Sequence, residues 1–84
     1  MNTIDHLVHM VNQITRNFGT LDDKAAAEAT AKHILLYWDP RMKNRIITHA
    51  ADDGSDLSRI ARLAISIVEK RFGSSASDST SMSA

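Results

Sequence analysis

Tyr37-Trp38-Asp39-Pro40-Arg41-Met42 is where one helix must stop and another must start. Pro40 pushes Asp39 away from helical geometry. The Asp39 carboxylate can then accept from a free backbone N–H of the next turn, and Pro40 suits the first helical position, where a missing N–H costs nothing. Trp38, the only tryptophan, stands one residue before that cap. A large apolar side chain there usually staples onto the fourth helical residue, which here is Lys43. Lacking an apolar local partner, the indole must pack into a distant part of the fold or into another protein, as core plug or as interface anchor.

Upstream of this break, Ile4, Leu7, Val8, Val11, Ile14 and Phe18 recur at the three-and-four spacing of one helical face, so an amphipathic helix is expected from Thr3 to about Phe18, with Gly19 placed to end it. A second helix is expected from an Asp22 or Asp23 cap through an alanine-rich stretch to Tyr37, and its small side chains would let a neighbour approach closely. Downstream, a third helix is expected over Pro40 to Ala51. Met42, Ile46, Ile47 and Ala50 form its apolar side, and Arg41, Arg45 and His49 form a row four residues apart on another. Asp52-Asp53-Gly54-Ser55 reads as a turn, Ser55 or Asp56 as the cap of a fourth helix running to Phe72, and Gly73 as its stop. That last helix is apolar round about half its wheel, which asks for a cover wider than three short helices. The fold expected is all-α: a small compact bundle of three to four short helices over residues 1–73, with a disordered serine-rich tail over 74–84 that has little to bury.

Composition excludes several functions. The chain has 84 residues and no cysteine, which rules out disulfides, thiolate zinc sites and cysteine-held iron–sulfur clusters. Ten basic and ten acidic side chains cancel, which argues against a protein that works by neutralising phosphates. No stretch approaches the roughly 20 apolar residues of a membrane span, and no basic segment precedes an apolar run, so a cytoplasmic protein is expected.

The polar residues give no reactive constellation. His6 and His9 are close enough in helical spacing to share an ion but lack a third ligand, and His33 and His49 are isolated, so no metal site is expected. No serine or threonine outside the tail has the setting of an activated nucleophile, and the three glycines all fall where helices should end, leaving no phosphate loop. No catalytic and no cofactor-binding residue is expected. Arg41, Lys43 and Arg45, with no acid between Pro40 and Ala51, suit either a solvated face or an acidic protein surface. A helix-turn-helix fits the second and third helices in outline only, and the zero net charge speaks against nucleic acid.

Leu7-Val8-His9-Met10-Val11-Asn12-Gln13-Ile14 together with Tyr37-Trp38-Asp39-Pro40-Arg41-Met42 resembles the delta subunit of soluble NAD-dependent formate dehydrogenases, over roughly Ile4 to Val68. Trp38 to Met42 is the specific element; Met10 to Ile14 with Phe18 supports it. The resemblance implies a small non-catalytic subunit that binds no cofactor itself. Its complex would interconvert formate plus NAD with carbon dioxide plus NADH, and other subunits would carry a molybdenum or tungsten pterin centre, iron–sulfur clusters, FMN and NAD. The partners implied are the large catalytic subunit and the electron-transfer subunits, with no nucleic acid and no membrane. The role implied is assembly, stability or cofactor insertion. The alternatives are a transient maturation chaperone for the molybdopterin-containing subunit and a small nucleic-acid-binding regulator. The residues expected to meet the partner are Trp38, Asp39, Pro40, Arg41, Met42 and Arg45, with Asn12 and Arg16 from the first helix.

Overall fold

The computed structural model describes residues 3–83, with side chains and packing described from 3 to 72. Among the described residues there are four α-helices and no strand: α1 (Thr3–Asn17), α2 (Asp23–Tyr37), α3 (Pro40–Asp53) and α4 (Arg59–Ser83). This is the all-α bundle the sequence predicts. The fourth helix does not stop at the expected Gly73 but runs on to Ser83; the side chains of the tail expected over 74–84 lie outside those described.

In α1, Leu7, Val8, Val11, Ile14 and Thr15 are buried along one stripe, and Asp5 in the first turn and Arg16 in the last lie at the ends where the helix dipole favours them. The helix closes by tight i→i−3 bonds, Phe18 N–H to Thr15 O at 3.2 Å and Gly19 N–H to Arg16 O at 3.1 Å. Gly19 has no positive φ. What it supplies is the missing side chain, since a Cβ there would stand 3.1 Å from the Arg16 carbonyl oxygen.

The α2–α4 pair is the most extensive packing in the molecule. Its small side chains explain this: Ala26, Ala27 and Ala31 on α2 and Ala61 and Ala64 on α4 are all buried, which lets the two backbones approach closely. Ala61, Ala64, Ile65 and Val68 are buried on α4, Ile60, Ile67 and Phe72 are half-buried, and Leu63 stays exposed, so the wide apolar arc is largely covered within the chain. Ile46 is the one buried residue of α3, which lies at the outside of the bundle with Met42, Ile47 and Ala50 half-buried against the core.

Local chemistry sets the α2 and α3 starts. Asp22 caps α2 by accepting from Ala25 N–H at 2.8 Å, and Asp39 caps α3 by accepting from Met42 N–H at 2.8 Å with Pro40 in the first turn. The third helix outruns the sequence expectation, continuing through Asp52 and Asp53 to a cap at Gly54. The α4 cap is also different: Ser58, not Ser55 or Asp56, accepts from Ala61 N–H at 3.1 Å through its hydroxyl. Asp56 is engaged elsewhere, its carboxylate 2.9 Å from His49 Nε2. Ser55 N–H donates to Asp53 Oδ1 at 3.2 Å, closing an Asx turn over the start of the loop.

Candidate docking surface

The buried stripe Ala27, Ala31, Ile34 and Trp38 steps by four, three and four residues, so Leu36, midway between the last two, is turned away from the core. Leu36 is 64% exposed and Tyr37 73% exposed. His33 lies against Tyr37 with ring centroids 4.9 Å apart and planes tilted by 48°. Two residues, Trp38 and Asp39, then join α2 to α3. Their extended backbones, with ψ of 140° and 166°, turn the chain so that Pro40 and Arg41 emerge exposed beyond the Leu36-Tyr37 pair.

Trp38 itself is 4% exposed and belongs to the central cluster with Leu7, Val11, Ile34, Ile46 and Val68. Of the two roles open to the indole, the structure gives it the core. The anchor role expected for it is corrected to a buttress: it holds the elbow from beneath. The reason is its place on the α2 stripe, four residues after Ile34, which the capping pattern of α3 does not reveal. Lys43, the residue at the staple position, instead places its ammonium 5.3 Å from the Phe72 ring centroid.

The other expected contact residues fall into two groups. Asp39, Pro40, Arg41, Arg45 and Arg16 are exposed, and Met42 is half-buried. Asn12 is half-buried and used internally. Its Nδ2 donates to the Asp56 carbonyl at 3.1 Å, its Oδ1 accepts from Ser58 N–H at 3.0 Å, and its own carbonyl accepts from the Thr15 hydroxyl at 2.7 Å. It therefore pins the loop between α3 and α4 onto α1. Expecting it to face a partner overlooks that a side-chain amide with a donor and an acceptor can satisfy two groups of a neighbouring loop.

Arg41, Asn44, Arg45, Thr48, His49 and Asp52 share the side of α3 that faces away from the core. All but Arg41 line, with Ile4 of α1, a groove of about 500 Å³. Among the described residues the ion pairs are His49 with Asp56 and Arg59 with Asp23, so neither Arg41 nor Arg45 has a carboxylate partner. A larger hollow of about 750 Å³ over the start of α2 is lined by Asp22, Asp23, Lys24, Ala25 and Glu28, all from one segment, with no second element to converge on a ligand. The Asp53 carboxyl is held below its ordinary value by the Ser55 hydroxyl and then by the Ser55 N–H, with burial opposing and the nearby His49 adding to the lowering.

No group of three or more His, Cys, Asp or Glu able to hold a metal is found among the described residues, and no helix among them is long and apolar enough to cross a membrane. The described surface of this four-helix module thus carries an exposed Leu-Tyr pair, two arginines without carboxylate partners and a polar groove. The model of the FdsD family, the NADH-dependent formate dehydrogenase delta subunit, matches residues 6–65, and the chain belongs to that family. No curated protein and no solved structure matches it.

Proposed function

We propose that this chain is the non-catalytic delta subunit of a cytoplasmic NAD-dependent formate dehydrogenase complex. It docks on the large catalytic subunit and acts in that subunit's assembly, stability or cofactor insertion. The complex converts formate and NAD to carbon dioxide and NADH. Its molybdenum or tungsten pterin centre, iron–sulfur clusters and FMN, and the site for NAD, reside in other subunits. The donor set of this chain does not fit the iron–sulfur clusters, since it lacks the cysteine that cluster ligation needs. The observation that carries the docking is the fold's exposure of Leu36 and Tyr37 beside Arg41 while the neighbouring indole is buried. Tyrosine and arginine are the side chains that most often dominate interface energies, because each combines a large apolar contact with directional donors.

The experiment is co-expression of the affinity-tagged chain with the remaining subunits, followed by purification of the mature enzyme. The chain should co-elute with the catalytic subunit, and the Leu36→Ala/Tyr37→Ala double variant should reduce recovery, at a cost of about 2 kcal/mol or more if Tyr37 is a principal contact. Full recovery with the double variant would move the docking surface elsewhere. Recovery of the chain only with cofactor-free catalytic subunit would make it a transient chaperone.

A further inference from the structure

The third helix is charged against its own dipole. Its first turns carry Arg41, Lys43 and Arg45 with no acid, and Asp52 and Asp53 close it with no base in the last turn. Unpaired N–H groups make the start of a helix partially positive and unpaired carbonyls make its end partially negative, so each placement works against the helix carrying it. Two of the five charges have local compensation: Lys43 lies over the Phe72 ring and Asp53 accepts from Ser55 N–H. Arg41, Arg45 and Asp52 have no partner among the described residues. At about 100° per residue these three lie within an arc of roughly 40°, and the roughly 11 helical steps from Arg41 to Asp52 span about 16 Å. They form one straight stripe, positive at one end and negative at the other. It runs along the groove whose remaining wall is Ile4.

We infer that this groove receives a bipolar segment of the catalytic subunit: carboxylates opposite Arg41 and Arg45, an apolar side chain against Ile4 between Asn44 and Thr48, and a lysine or arginine at Asp52. The inference rests on the docking reading above and names what one surface of it recognises. Charge complementarity selects this occupant. A polyanion attracted to the arginines would run into Asp52, Asp53 and Asp56 further along. A second copy could lay its own stripe antiparallel on this one. Yet a strip 16 Å long buries only a few hundred Å² per copy, well short of the roughly 800 Å² per partner that a stable dimer needs. The stripe is therefore enough as one part of a larger contact that also includes Leu36 and Tyr37.

The test titrates full-length chain onto the complex of the remaining subunits, with a photocrosslinking residue at position 48 in parallel. Arg45→Glu and Asp52→Lys should each weaken binding about tenfold, whereas Glu28→Lys, on the exposed side of α2, should not. Arg41→Glu should weaken binding and at the same time raise the melting temperature of the free chain, a pairing that a merely structural role would not produce. The crosslink should fall on a segment with acidic and basic residues in the stated order. Wild-type-like binding by both Arg45→Glu and Asp52→Lys would overturn the groove assignment while leaving docking intact. A crosslink to a second copy of this chain would overturn it too. Failure of the wild-type chain to bind would remove both readings.

Discussion

Thr30 is the residue at which the close α2–α4 packing leaves a polar atom stranded. Its hydroxyl is fully buried, and among the described residues it is the side chain whose buried polar atom has no hydrogen-bond partner. An unsatisfied buried hydroxyl costs about 1–3 kcal/mol, whereas an apolar group of the same shape does not. Thr30→Val should therefore raise the stability of the free chain by about 1 kcal/mol, read as a melting temperature several degrees higher. An unchanged or lower midpoint would mean the hydroxyl finds a partner in solution. Asn12 presents the opposite case. Both ends of its amide are used by the loop before α4, so Asn12→Ala should lower the stability of the free chain by about 1 kcal/mol, the low end for bonds that water can partly replace. A residue kept only for a partner would leave the melt unchanged.

Elements whose ends are written in local chemistry are legible in the amino-acid sequence alone: Asp22, Asp39 and Pro40 set the starts of α2 and α3 where the sequence puts them. The start of α4 is not legible there: the sequence points to Ser55 or Asp56, whereas Ser58 is the cap, because the choice depends on tertiary partners. His49 engages the Asp56 carboxylate and Asn12 holds the Ser58 N–H, which leaves the Ser58 hydroxyl to cap the helix. The reversed charge order of α3 stands in the sequence but has meaning only once its exposed side is known. Charge reversal at its start should help the helix on its own terms. Arg41→Glu replaces a cation near the positive end by an anion, which should stabilise the free chain by about 0.3–1 kcal/mol at low salt and less as salt rises. Thermal melts at two ionic strengths would check both the sign and the screening; a destabilised variant would show that Arg41 has a structural role in the isolated fold.

At the scale of the molecule, one cluster built from all four helices and the elbow holds the chain together, and the only indole lies inside it. The apolar stripes of α1 and α4 foretell that core. The side on which Trp38 falls is undecided by pattern, because a residue ending one helix and preceding another belongs to two patterns at once. The i, i+4 relation to Ile34 prevails, since burying the largest side chain against a core gains more than an exposed contact with Lys43. This changes what truncating it should do. Removing a buried tryptophan side chain costs about 3–5 kcal/mol, comparable to the whole stability of a core this small. Trp38→Ala should thus lose most helical circular dichroism at room temperature as a free chain, and lose co-purification for that reason rather than through a missing contact. The wild-type indole gives the complementary measurement: already shielded, it should show a blue-shifted emission in the free chain that iodide quenches poorly and that changes little when the catalytic subunit binds. Retained helix content in Trp38→Ala, with an indole emission that shifts on docking, would return Trp38 to the surface and make it the anchor after all.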